Sequence, residues 1–191
     1  MGGFGPLPTI MTRKLHIGGE VKCEGWEVLN VQPGPHVDHL GDAGQLLFLD
    51  ETFDVIYASH ILEHIRQEPI KTLKEWARVL KPDGTLYLSV PNIHFLFQMF
   101  LLTPRTCDRF DILKVIYGAH IDKYDYHVTG FDEEMIRILL FEAGFKHIER
   151  CEEFGLFDDC STLRMNCKLL SLNMTANKQE KDNVIPLETA L

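Results

Sequence analysis

The stretch that most restricts what this chain can fold into is residues 53–92, FDVIYASHILEHIRQEPIKTLKEWARVLKPDGTLYLSVPN. Phe53, Asp54, Val55, Ile56, Tyr57 and Ala58 make a short β-favouring run, with the apolar density of a strand buried on both faces. From Ile61 the period changes. Ile61, Leu62, Ile65, Leu73, Trp76, Val79 and Leu80 recur at helical spacing, which predicts a long amphipathic helix. Pro69 falls early in it, where a missing N–H does little harm. Lys81-Pro82-Asp83-Gly84 stops the helix and turns the chain. Residues 85–90, TLYLSV, read as a second strand, ended by Pro91. Strand, helix, turn and strand make a βαβ unit with parallel strands and a right-handed crossover. Open sheets of this kind bind ligands beyond the carboxyl ends of their strands, here Ser59-His60 and Pro91-Asn92.

The segments before this unit are shorter. Residues 1–13 form a Gly- and Pro-containing arm expected to be flexible. Lys14-Leu15-His16-Ile17 reads as a strand running into Gly18-Gly19, and residues 26–31, WEVLNV, as the next. A parallel crossover with a full helix needs about ten residues or more, and the gap here is shorter. Either the two strands are antiparallel, or the first helix has been cut to a turn. Residues 37–42 read as a third short strand or extended piece, and residues 45–50 lead into Phe53.

After Asn92, residues 94–102 are apolar all round, as in a buried helix or a lid, and residues 108–117 are amphipathic at helical spacing. Residues 118–130 form a loop carrying His120, Tyr124, Tyr126 and His127. A helix follows, with Asp132 as N-cap, Met135, Ile136, Ile138, Leu139, Leu140 and Phe141 as its apolar face, and Gly144 at its end. Residues 147–154 and 168–175 read as two last strands. The domain is expected to span residues 14–176, with residues 177–191 a disordered tail.

Composition excludes some roles. A net charge of −9 argues against general affinity for nucleic acid or anionic membranes. Five cysteines without close pairing suit reduced intracellular thiols, and no CxxC pair supports a structural zinc site. No apolar run reaches a membrane span, and no secretory signal pattern is present, so a cytoplasmic location is expected.

The order of these pieces resembles the small class I S-adenosylmethionine-dependent methyltransferases with a shortened first βα unit. LHIGG at residues 15–19 stands at the glycine-rich first motif, Gly25-Trp26 with Asn30 at the second strand, and Gly41-Asp42-Ala43 at the adenine-side turn. FDVIYASHILEHI and EWARVLKPDGTLYLSVPN resemble the fourth strand and the helix–strand unit after it. YHVTGF at residues 126–131, EAGF at 142–145 and Ser171-Leu172-Asn173 resemble the C-terminal half. The resemblance implies an α/β, Rossmann-like, mostly parallel sheet, with an antiparallel C-terminal edge strand and a truncated first helix. It implies S-adenosylmethionine as cofactor, with S-adenosylhomocysteine as product, and methyl transfer to a small-molecule or sugar-containing (glycan) acceptor.

Its cofactor-binding positions fall on Gly18, Gly19, Glu20, Asn30, Val31, Asp42, Ala43, Ser59 and His60. Two depart from the family pattern: Glu20 replaces a third glycine, and Asn30 replaces an acid that accepts from the ribose hydroxyls. An amide accepts only through its carbonyl oxygen. Candidates beside the transferred methyl group are His60, His64, Asn92, Tyr126 and His127. His127, His64 and Asn92 are the catalytic set, and His127 is the preferred base. No metal is expected in that site. Two alternatives stand beside this reading. One is a methyltransferase-like binding or assembly module without activity. The other is a zinc hydrolase, because His60-Ile61-Leu62-Glu63-His64 satisfies H-x-x-E-H, with both histidines as ligands and Glu63 as base. The acceptor and the oligomeric state are not legible in one sequence.

Overall fold

The structure is a computed structural model that describes residues 12–165 and 167–180. Most of the expected 1–13 arm, and residues 181–191 of the expected tail, lie outside the described residues. Four short or medium strands come first: β1 (Lys14–Ile17), β2 (Glu27–Asn30), β3 (His39–Leu40) and β4 (Phe53–Ser59). Helix α1 (Pro69–Val79) leads into β5 (Leu80–Pro91), followed by α2 (Ile93–Leu102), α3 (Thr106–Tyr117) and α4 (Glu133–Glu142). The chain ends with β6 (Phe145–Cys151), a small β7 (Arg164–Met165) and β8 (Lys168–Leu169) hairpin, and β9 (Ser171–Lys178).

Seven strands make one sheet in the order β3-β2-β1-β4-β5-β9-β6. The β3–β2, β2–β1, β1–β4 and β4–β5 pairings are all parallel. The antiparallel strand expected on this side of the sheet is β9, inserted between β5 and β6. No helix joins β1 to β2, as the short gap required, yet the pair is parallel. The strand order reverses between β1 and β4, which is where folds of this topology open toward a ligand.

Alternation along the strands sorts the two faces. Leu15, Ile17, Ile56, Ala58, Leu86 and Leu88 join Leu73, Trp76 and Val79 of α1 and Ile136 and Leu140 of α4 in the main core. On the opposite face, His16, Tyr57 and Tyr87 stand side by side in register. Trp26, Phe154 and Phe157 pack edge-on or tilted against this row. Aromatic loop residues thus cover the surface that a full first helix would otherwise screen from water.

Several expectations are corrected. The long helix does not start near Ile61; α1 begins at Pro69, its first helical position, and only a three-residue 3-10 turn (Leu62–His64) precedes it. Proline is well suited to that first position but would clash inside a helix, so it marks the true start. Lys81-Pro82-Asp83-Gly84 follows the end of α1 as expected, but its turn is a bulge within β5: β4 goes from Phe53 to Val55 while β5 goes from Leu80 to Thr85, with Asp83 at φ 58°. The apolar segment from Ile93 forms α2 but buries only Leu96, while Phe97, Leu101 and Leu102 face solvent. In α4 only Ile136 and Leu140 are buried, and Met135, Ile138 and Phe141 are exposed. Asn177 and Lys178 belong to β9 rather than to a tail.

Candidate functional site

The parallel strands bring the predicted residues to one rim. Gly18 follows β1, Asn30 ends β2, Asp42 follows β3, His60 follows β4 and Asn92 follows β5. Because these strands run the same way, their carboxyl ends share an edge of the sheet. Gly18 has φ +76°, a left-handed conformation that glycine adopts without penalty. The Asp42 carboxylate accepts from Gly44 N through Oδ1 at 2.7 Å, leaving Oδ2 for an outside donor. The turn is braced from behind by Trp76, whose Nε1 donates to Ala43 O at 2.8 Å.

The rim is more closed than the sequence implied. A Cβ on Gly18 would sit 2.0 Å from Cδ1 of Ile61, so the bare face of this glycine is covered by that side chain. A Cβ on Gly19 would meet the His16 ring at 2.8 Å. Asn30 has a partner on each group: Nδ2 donates to Gly19 O at 3.1 Å, and Oδ1 accepts from Gln32 N at 2.9 Å. Glu20 and Val31 are exposed. Ser59 Oγ donates to Asp159 Oδ1 at 3.2 Å. Two surface cavities, of about 220 and 320 Å³, are lined by other residues, among them Arg78 and Gly144 in one and Leu29 and Phe48 in the other.

The catalytic candidates gather in part. Val128 N donates to Glu63 O at 2.8 Å and ties the 118–130 loop to the turn after β4. This brings the His127 ring against His64, centroids 4.5 Å apart and edge-on. Between them lies the Glu63 carboxylate, fully buried, with neither oxygen hydrogen-bonded. Its Oε1 is 3.5 Å from His60 Nδ1 and 4.0 Å from His127 Nε2. Burial pushes Glu63 up to about 8, since nothing compensates a charge there. Burial, with His127 next, lowers His60 to about 3; burial, with His64 next, lowers His127 to about 4. His64 is lowered too, mainly by burial. Asn92 Oδ1 caps α2 by accepting from Phe95 N at 3.2 Å. Tyr126 stacks on His120 in the outer loop.

The helix that the H-x-x-E-H pattern needs is not formed. His60 has φ +53° and the following turn is only three residues long, so His60 and His64 do not stack one helical turn apart. Sequence reasoning missed Ile61 as the cover of Gly18, and it missed Asp159, which accepts from both Tyr57 Oη and Ser59 Oγ. No local signal marks either residue, because each acts on a partner brought by another element.

A family model described as a methyltransferase domain matches residues 27–88. No curated protein matches. Among solved structures, a Haloferax volcanii methyltransferase, solved in complex with the Trm112 methyltransferase activator, aligns with TM-score 0.57 and 16% identity over 89% of this chain and 84% of that one. A Thermotoga maritima S-adenosylmethionine-dependent methyltransferase, described as a possible histamine N-methyltransferase, aligns with TM-score 0.56 and 18% identity over 91% and 84%. A Bacillus halodurans methyltransferase gives TM-score 0.53 and 15% identity over 88% and 93%.

The chain has a class I methyltransferase-like fold.

The group that a methyltransferase domain implies is S-adenosylmethionine. Asp42 fits such a group in its chemistry, since its Oδ2 could accept from an amino donor. Gly18 has a left-handed backbone, and Ile61 fills the space that a Cβ there would take. Among the described residues, no helix of this methyltransferase-like chain is long and apolar enough to cross a membrane.

Proposed function

We propose that the chain binds S-adenosylmethionine at the rim formed by Gly18, Gly19, Asn30, Asp42 and Ala43, and transfers its methyl group to a small-molecule or sugar-containing acceptor. The observation that carries this reading is the placement of Gly18, Asn30, Asp42 and His60 along one edge, beside the point where strand order reverses. The bound cofactor would supply an electrophilic methyl group on a sulfonium.

The chain's own residues supply position and a proton acceptor. Asp42 Oδ2 takes a hydrogen bond from an exocyclic amino group, and the left-handed Gly18 lets the backbone approach a ligand once Ile61 turns aside. Such positioning is most of what a displacement at a good leaving group requires. His127 holds its Nδ1 proton on Ile116 O at 3.2 Å, so Nε2 carries the lone pair that would accept a proton from a hydroxyl or amine. With all five cysteines unpaired, we place the protein in the reducing cytoplasm.

A second reading, a binding or assembly module without catalysis, is favoured by one feature: Ile61 lies against Gly18 at the rim. Calorimetry of the full chain with S-adenosylhomocysteine decides the cofactor. Heat of binding is expected, and silence at millimolar ligand would overturn the enzyme reading. Binding with no methyl transfer across hydroxyl- and amine-bearing acceptors would favour the module.

A further inference from the structure

The cluster under the 118–130 loop has a property that methyl transfer does not use. Three imidazoles surround the Glu63 carboxylate, and the hydrogen bonds on their far sides fix their tautomers. His64 Nδ1 faces Tyr124 O at 2.9 Å, and His127 Nδ1 faces Ile116 O at 3.2 Å. A carbonyl only accepts, so each Nδ1 carries the proton and each Nε2 keeps its lone pair. His60 is fixed the other way round. Ser171 Oγ donates to Cys160 O at 2.7 Å, so it must accept from His60 Nε2 at 2.8 Å, which leaves the His60 lone pair on Nδ1, 3.5 Å from Glu63 Oε1. Lone pairs on three rings therefore face a fully buried carboxyl group that has no hydrogen-bond partner, and either a proton on Glu63 or a cation would reconcile them. A buried polar group in that state is rare, and an ion is one of the few things that resolves it.

One ligand atom each from Glu63, His64 and His127 lies within 4.8 Å of the other two. We propose that these residues bind one divalent transition-metal cation of the zinc type. Two imidazoles and a carboxylate suit zinc, and three protein ligands leave the fourth tetrahedral position to water or to an acceptor oxygen. Bonds to zinc of about 2.0–2.2 Å place ligand atoms roughly 3.3 Å apart, so the cluster closes on the ion by side-chain shifts of about 1 Å. The carbonyls of Tyr124 and Ile116 are the outer partners that metal-bound histidines usually have, holding each ring with Nε2 inward. The cation also cross-links the turn after β4 to the 118–130 loop. When it is present, His127 is a ligand and no longer a base. This arrangement differs from the H-x-x-E-H reading, since Glu63 becomes a ligand and His127 takes the place of His60.

The test is a zinc chloride titration of the tag-free full chain after chelator treatment, with no cofactor or acceptor present, so its outcome is separate from that of methyl transfer. One zinc per chain is expected, with a zinc-dependent rise in melting temperature. Cobalt in its place is expected to show the intense visible bands of a four-coordinate ion. His64→Ala removes a half-buried surface ring and should leave the fold intact by circular dichroism while weakening zinc by about 100-fold or more. Glu63→Gln should do the same, and His94→Ala, on the exposed side of α2, should not. Absence of zinc binding to the wild-type chain, or wild-type affinity in His64→Ala, overturns the proposal.

Discussion

Ile61 covers Gly18 so closely that a methyl group added to the glycine would lie 2.0 Å from Ile61 Cδ1. Gly18 also has φ +76°. Gly18→Ala therefore combines left-handed strain with overpacking, and is expected to cost about 3 kcal/mol. Trimming Ile61 to Ala relieves only the second part. The double variant should thus be less destabilised than the sum of the singles by about 1–2 kcal/mol, read from urea unfolding. Strict additivity would mean that the two side chains do not share that space.

Ile61→Ala alone has a functional consequence. It clears the side of Gly18 where a ligand would lie, at a cost of about 1–2 kcal/mol for a half-buried isoleucine. Calorimetry should show tighter binding of S-adenosylhomocysteine despite the lower stability. Equal or weaker binding would show that Ile61 does not gate the cleft.

Asn30→Asp should move affinity and stability in opposite directions. A carboxylate accepts more strongly from ribose hydroxyls, worth roughly 1 kcal/mol, or about fivefold in affinity. It cannot donate to Gly19 O as the Asn30 amide does, so the melting temperature should fall by the equivalent of about 1 kcal/mol. Unchanged affinity would place Asn30 away from the ribose.

His16 predicts a pH dependence of stability. It is buried between Trp26, Tyr57 and Phe157, its Nδ1 has no partner, and burial lowers its pKa to about 4. Because the folded-state value lies below the unfolded one, its contribution is present above about pH 6.5 and is lost as pH falls through about 4. Between about pH 7 and pH 5 this amounts to about 2 kcal/mol. His16→Phe, which keeps an aromatic ring in the row, should lose that much less over the same interval in urea unfolding. An identical acid limb in both proteins would remove His16 from the account.

Trp76 is fully buried and its Nε1 donates to Ala43 O. Trp76→Phe leaves that carbonyl unpaired and removes core volume, for an expected loss of about 2–3 kcal/mol. Because the same bond braces the Asp42 turn, ligand affinity at the rim should fall as well. Intact affinity at reduced stability would show that the turn holds itself.

The sheet was legible where the signal is local. Hydrophobic runs marked β1, β2, β4 and the main part of β5, and the missing helix between β1 and β2 followed from the length of the gap. Asp132 was readable as a cap because capping is decided within one turn: its Oδ1 accepts from Met135 N at 2.9 Å. The start of α1 was misplaced because Ile61, Leu62 and Ile65 have helical spacing but pack instead onto the main core from a 3-10 turn and its flanks.

What the chain's own order of residues determined was a parallel sheet with glycines and an aspartate on one rim, since strand length, turn chemistry and crossover handedness depend on near neighbours. Tertiary structure alone decided the state of that rim. Ile61 lies on Gly18, and each group of the Asn30 amide has a partner, because β1, β2 and the turn after β4 meet there. It also decided that Glu63 shares a buried space with His127, far along the chain, and which nitrogen of each ring faces inward. Carbonyls and a serine from separate elements set those tautomers, and a directional hydrogen bond between distant segments leaves no periodic trace in a sequence.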